Sequence, residues 1–323
     1  MQRIISLDPA RYQRHLIHGE NRDWAETNCY VDVWIELLHA LGFEPIAALP
    51  FTLGIDFEGD QWTFFKFPLA DIYELYGLDV QELAIWRSLV EHVEEQVGRG
   101  RPVLVELDSY FLPDTAGTAY QLEHVKSTVA VTEIDAANHH MGYFHGQGYY
   151  HLDGQDFISI FRLSGQPDPA MLPPYVEFVK AHRQEKLEDS ALLEASLQLL
   201  RKHLRLLPEK NPFQIFKMSF QQDLDWLMGE DLKTFHLYSF ATLRQYGACF
   251  ELSATYVKWL AERGQRNLEE AISAFSEISN GAKTFQFQLA RAMNRKKPLD
   301  MSPLDDMAQR WERGMQLLAS RYC

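Results

Sequence analysis

The clearest pattern in the chain runs from Glu26 to Gly42, ETNCYVDVWIELLHALG, where Tyr30, Val33, Trp34, Leu37, Leu38 and Leu41 recur at steps of three and four. That period describes one buried face of a helix. Thr27 or Asn28 supplies a capping oxygen at its start, and Gly42, followed by Pro45, supplies the stop. From Ile46 to Pro68 the apolar and aromatic runs are broken by Pro50, Gly54 and Gly59, which predicts two short strands about the acidic turn DFEGD. Helical spacing returns from Leu69 to Val97 and breaks at Gly98–Gly100. Arg101–Phe111 reads as a strand by its density of Val and Leu. Glu123–Asp135 alternates as a second strand, and Met141–Gly154 returns as a third after the AANHH turn. A helix followed by an antiparallel sheet predicts a two-layer α+β domain with the helix lying across the sheet.

Ser164–Pro174, SGQPDPAMLPP, reads as a linker. Beyond it, ALLEASLQLLRKHLRLL, FELSATYVKWLAERG, LEEAISAFSEIS and MAQRWERGMQLLASRY keep helical periods, and almost no strand signal follows Tyr175. The expected organisation is an α+β domain over 1–165 and an all-helical domain over 175–323.

Composition narrows the partners. Hydrophobic residues make up 46% and aromatics 13%, enough for a core, so the chain is not disordered. A formal net charge of −14 disfavours a nucleic-acid backbone or an anionic membrane as the main partner. Cys29, Cys249 and Cys323 are too few and too scattered for a disulfide framework, which fits a reducing cytoplasm. The opening MQRIISLDPARYQRH is charged throughout and lacks the apolar core of a signal peptide, and no apolar run is long enough to span a bilayer.

The candidate chemistry centres on Cys29. It falls in the first turn of the predicted helix, where unpaired N–H groups and the helix dipole favour an anion and so the thiolate. Taken alone, a cysteine there is more often a small buried apolar residue. A nucleophile needs a base and a group to orient that base. His124 stands at the start of a predicted strand, and Asp153 ends the neighbouring one, with Asp156 three residues on. Each has an ordinary reading as a strand-end or turn residue; their order over helix and paired strands raises the joint case. His139, His140, His145 and His151, with Asp135, offer donors for zinc or iron, but their spacing matches no metal motif, and turn histidines on an amphipathic hairpin are the favoured reading. DFEGD lacks the ligand spacing of an EF-hand. Cys249 lies on a buried helical face with Phe250, Ala254, Val257 and Leu260, and reads as packing. The chain contains no GxSxG, P-loop or GxGxxG.

ETNCYVDVWIELLHALGFEP, DFEGDQWTFFKFP, LVELDSYFLPDT, EHVKSTVAV and GYFHGQGYYHLDGQDF together resemble an uncharacterised bacterial family grouped with papain-like, bacteriocin-leader-peptidase-like folds. More distantly, they resemble the N-terminal domain of butirosin biosynthesis protein H, an acyltransferase. The resemblance runs through residues 20–165. It implies a papain-like fold, a nucleophile at Cys29, a base at His124 and an acidic or amide partner near Asp153 or Asp156. Peptidases of this type usually place a glutamine a few residues before the cysteine as oxyanion donor, and NRDWAETNC has none. Asn28 or backbone N–H groups at the helix start are the substitutes.

The expected function is a cysteine-dependent acyl- or aminoacyltransferase working through a Cys29 thioester on a small-molecule or carrier-protein-bound substrate, with no cofactor or metal. Carrier proteins are acidic, so docking calls for a basic patch; Arg201, Lys202, Arg205 and Lys210 are the candidates, against the plainer reading of a solvated helix face. The alternatives are a cysteine peptidase or amidase using the same residues, and a catalytically idle papain-like scaffold that binds a partner.

Overall fold

The first helix forms where its pattern places it, but it is buried on every side. The computed structural model describes residues 1–20, 22–24, 27–164, 172–183 and 185–323. After the short strand β1 (Gln2–Arg3), α1 (Cys29–Ala40) starts at an Asn28 cap, and Gly42, at φ +77°, lets the chain turn so that its N–H and that of Phe43 meet the carbonyls of His39 and Leu38. Every residue from Tyr30 to Leu38 is buried, including Asp32 and Glu36. A helix buried all round, here with two carboxylates inside, is an interior helix, not a half-exposed one.

The predicted helix Leu69–Val97 is three elements. α2 (Leu69–Tyr76) stops at Gly77, at φ +66°; β2 (Leu78–Glu82) follows, and α3 (Leu89–Gly98) starts at a Ser88–Glu91 capping box. β3 (Val103–Asp108) ends where Asp108 caps a 3-10 turn over Ser109–Phe111. β4 (Lys126–Asp135) is the long strand. The predicted single strand Met141–Gly154 is a hairpin, β5 (His140–His145) and β6 (Gly148–Asp153), and α4 (Gly154–Ile160) follows it. The expected linker falls largely on residues 165–171, outside the described residues. Just after it, β7 (Val176–Ala181) is a strand, against the expectation of almost none after Tyr175: its alternation is short, and its partners are far away in sequence.

All pairings are antiparallel, in the order β2-β7-β3-β4-β5-β6, with β1 continuing the β3 side of β4 past the end of β3. One face of the sheet is apolar: Val103, Val105, Val129, Val131, Ile134, Met141, Tyr143 and Leu152 pack with Val93 and Val97 of α3 and Phe157 of α4. α1 covers the other face, where Tyr30 donates to Glu177 of β7 at 2.9 Å. The architecture is α+β, an antiparallel sheet with helices, followed by a helical C-terminal region.

That region comprises α5 (Asp189–Leu204), α6 (Pro212–Leu227), α7 (Leu232–Ala241), α8 (Leu243–Glu262), α9 (Glu269–Arg295) and α10 (Ser302–Tyr322). Glu20–Thr27 and Ile46–Pro68 group with these helices, whereas Met1–Gly19, Asn28–Pro45 and Leu69–Lys186 form the sheet unit. Ile46–Pro68 is not a pair of strands. It is a 3-10 run over Pro45–Gly54 and one bridge, Phe57 to Trp62. Ala47, Ala48, Leu49, Phe51, Thr52 and Leu53 are all buried, so the alternation a half-exposed strand needs is missing. Trp62 sits against Phe213, Phe216 and Tyr246, with ring centroids 5.0, 5.6 and 4.9 Å away.

Gly247 marks the closest approach inside this unit. A Cβ there would lie 2.4 Å from the Trp24 ring and 2.9 Å from the Ala282 methyl, and Trp24 is pinned by its indole N–H to Ser279 Oγ at 2.9 Å. Gly247→Ala gains helix propensity of about 1 kcal/mol, but overpacking against a fixed ring costs about 1–3 kcal/mol. A net loss is expected, read as a lower thermal midpoint; an unchanged or raised midpoint means that Trp24 gives way.

Candidate active site

Asn28 sets the geometry at the start of α1. Its side-chain oxygen accepts from the Val31 N–H at 3.0 Å, and its carbonyl takes the first intrahelical bond, from the Asp32 N–H at 3.0 Å. The Cys29 N–H lies ahead of that bond. Since the Asn28 oxygen caps the helix, any oxyanion role for this residue falls to its NH2 group. The Cys29 side chain is half-buried, and its Sγ lies 3.7 Å from Thr128 Oγ1, on the α1 face of β4.

One turn further in, α1 carries a buried charge cluster. His18 is clamped between Asp32 (Nε2 to Oδ1, 3.1 Å) and Glu36 (Nδ1 to Oε1). Burial pushes the His18 imidazole down, but the hydrogen bonds and charges of the two carboxylates outweigh it, so its pKa lies above the ordinary histidine value. Glu36 also accepts from the Tyr12 hydroxyl and the His15 N–H. His15 goes the other way: burial, with the charges of His39 and His18, pushes it down to about 3.

His124 precedes β4 by two residues and is largely exposed, at 68% of its side chain. Its Nδ1 lies 2.6 Å from Asp108 Oδ2, and its ring stacks on Tyr110 at 4.3 Å. The other Asp108 oxygen accepts the Tyr110 N–H at 3.0 Å, so the carboxylate is held from both sides. With Nδ1–H donated to Asp108, Nε2 carries the lone pair. The carboxylate on His124 is therefore neither Asp153 nor Asp156. Asp153 ends edge strand β6, too far across the sheet, and bonds His140 Nδ1 at 2.6 Å; Asp156 accepts from Tyr120 at 2.9 Å. Among the described residues no hydrogen bond joins Cys29 to His124. Asp108 pairs with Lys126, while Glu106 pairs with Thr128, the residue beneath Cys29. The His124–Asp108 pair thus belongs to the next row outward on the same face, about 7 Å along the strand.

Two other arrangements use the histidines of the hairpin. Ser127 Oγ lies 2.6 Å from His145 Nε2, His145 Nδ1 lies 2.5 Å from Asp114, and the Tyr143 hydroxyl donates to the same carboxylate at 2.5 Å. Ser127 is buried opposite Leu107, one rung from the end of the β3–β4 ladder, so this relay ties β4 and β5 to the turn at 113–115. Glu133, His140 and His151 converge on the other face. Asp108, Asp114 and Glu133 were missed as partners because sequence gives the strands but not their register. Cys249, as expected, packs: its thiol contacts Thr52 O at 3.3 Å, and burial pushes its pKa up. Arg201 of the proposed basic patch pairs with Glu194 at 3.3 Å, and it shares the last turn of α5 with Lys202, where cations suit the helix dipole. No described helix is long and apolar enough to cross a membrane.

Comparison with family models decides the relationship. The DUF1839 N-terminal domain matches residues 13–181, and the DUF1839 C-terminal domain matches residues 189–320. The chain belongs to the DUF1839 family. Cys29, Asp108, His124 and Thr128 all lie in the DUF1839 N-terminal domain, which runs through β7, and the DUF1839 C-terminal domain spans α5–α10. No curated protein matches the chain.

Proposed function

We propose that the sheet unit is a papain-like, thiol-dependent acyltransferase that holds an acyl or aminoacyl group as a thioester on Cys29. The observation that carries this reading is a half-exposed thiol ahead of the first intrahelical bond of a buried helix, on the same sheet face as an Asp108-oriented imidazole. His124 Nε2 takes the thiol proton, directly or through one water across the gap. The thiolate attacks a thioester carbonyl, whose oxygen the Cys29 N–H faces as it becomes an oxyanion. The C–S bond to the carrier breaks, and its sulfur leaves with the proton held by His124. An amine then attacks the Cys29 thioester, giving an amide and restoring the thiol. A carrier-protein-bound donor fits the butirosin-like resemblance. With water in place of the amine, the same residues make a hydrolase.

A second reading, a binding scaffold without catalysis, has one observation in its favour: the group facing Cys29 Sγ is the Thr128 hydroxyl, not a base. Incubating the full chain with an acyl-pantetheine thioester, followed by intact mass, separates the two. An adduct on wild type that is absent in Cys29→Ser, and that forms about 10²–10⁴-fold more slowly in His124→Ala, is expected for a general base. Hydroxylamine should discharge it to the hydroxamate. An unmodified wild type, or labelling indifferent to His124, moves the scaffold reading to first place.

A further inference from the structure

A second polar site lies at the far end of the same sheet face. Glu133 of β4, Gly142 of β5 and His151 of β6 form one cross-strand row, and Asp135, His140 and Asp153 form the next. Residues two apart on a strand share a face, so Glu133, His140 and His151 converge. One ligand atom from each lies within 4.8 Å of the other two. Gly142, at the centre of the first row, adds no side chain between the two ends; a Cβ there would run into the Tyr149 hydroxyl and come within 3.1 Å of the Glu133 Cβ.

The hydrogen-bond pattern makes this cluster distinctive. Asp153 lies 2.6 Å from His140 Nδ1, and in the neutral imidazole that donates to it the Nε2 lone pair points into the cluster. That Nε2 is buried with no hydrogen-bond partner and lies 3.4 Å from the Glu133 carboxylate. Glu133 is itself fully buried. Glu133 Oε1 accepts from Arg3, but the His140 nitrogen that faces it has no hydrogen-bond partner, and a cation between the two serves both. The 3.4 Å separation matches the edge of a tetrahedron with bonds of about 2.1 Å, also about 3.4 Å. His151, whose ligand atom lies within 4.8 Å of the other two, would have to approach by up to about 1.4 Å to complete that geometry. Arg3, paired to Glu133 at 2.5 Å, and Tyr149, 3.4 Å from the other oxygen, orient the carboxylate as outer partners, just as Asp153 orients His140.

We propose that Glu133, His140 and His151 form a binding site for one divalent transition-metal ion, zinc by the donor set. Two imidazoles and one carboxylate match the three-ligand zinc sites that keep a fourth position for water or substrate. The site is separate from Cys29: it uses the other end of β4 and none of the thiol's neighbours. Aspartate on a ligand histidine is the outer contact that metal-bound imidazoles usually make.

The test uses the full chain, freed of metal with a chelator, dialysed and titrated calorimetrically with Zn²⁺, with Co²⁺ added to a parallel sample. One Zn²⁺ per chain and the visible d–d absorption of tetrahedral Co²⁺ are expected. His151→Ala, at the exposed edge strand, should keep the circular dichroism spectrum and lose at least 100-fold in Zn²⁺ affinity. Asp153→Asn should lose roughly 10–100-fold, the usual cost of removing an outer partner. Failure to retain Zn²⁺, or binding and Co²⁺ absorption that survive His151→Ala, overturns the proposal. Because Cys29 is not a ligand, Cys29→Ser should bind Zn²⁺ as wild type does, and its binding is independent of whether Cys29 is ever acylated.

Discussion

Glu36→Ala should lose about 3–5 kcal/mol of stability, the cost of removing one partner of a buried ion pair. Glu36 is fully buried and accepts three donors: the Tyr12 hydroxyl, the His15 N–H at 3.1 Å and His18 Nδ1. Truncation leaves a charged His18 with Asp32 alone and strands the buried His15 N–H, while the partly buried Tyr12 hydroxyl keeps only the Glu36 carbonyl at 3.4 Å. The cost should appear as a lower urea midpoint with an unchanged slope. Glu36→Gln, which keeps an acceptor in place, should recover part of it. A loss below about 1 kcal/mol would mean that the His18 clamp does not form in solution.

The pH dependence has a defined sign. His18 is raised in the fold, so its contribution is complete below its unfolded pKa of about 6.5 and is lost as pH rises through the folded value. His15, held down to about 3, works in the opposite sense: stability is lost as pH falls below about 6.5 toward 3. Wild-type stability should therefore fall on both sides. Glu36→Ala should flatten the alkaline decline, so the gap between the two proteins narrows above about pH 6.5.

The second large effect concerns which aspartate orients His124. Asp108→Asn should slow Cys29 acylation by about 10²–10⁴-fold, as replacing the orienting carboxylate of a triad does. The carboxamide can present its NH2 to Nδ1, which moves the ring proton to Nε2 and removes the base. It can still accept the Tyr110 N–H, so the turn should stay folded. Asp153→Asn and Asp156→Asn, bonded to His140 and Tyr120, should leave the rate within about twofold. Equal losses in all three variants would remove His124–Asp108 from the chemistry.

What the sequence made legible follows from how local each signal is. α1, its Asn28 cap and its glycine stop are written within twenty residues, and the helical periods of the C-terminal half are equally local. The helical spacing over Leu69–Val97 runs straight through β2, whose five residues lie between two helical stretches and whose ladder with β7 cannot be seen from Leu78–Glu82 itself. The dense aromatics of Ile46–Pro68 suggest strands; their burial among the C-terminal helices depends on partners such as Phe213 and Tyr246. The site divides in the same way. Cys29 and His124 carry signals in their local surroundings. Asp108 is visible only once the Asp108–Lys126 register of β3 and β4 is known.

The position of β7 also sets an order of events during synthesis. It lies between β2 and β3, yet Glu82 waits for Glu177, roughly a hundred residues later, before its ladder can form. At about 5–20 residues per second on the ribosome, β2 stays open for roughly 5–20 s and one edge of β3 for roughly 4–15 s. An open strand edge is a template for pairing with another chain. The nascent protein passes through an interval in which its middle sheet is two unjoined pieces, and slower translation before residue 176 should lengthen that interval and raise the fraction lost to aggregation.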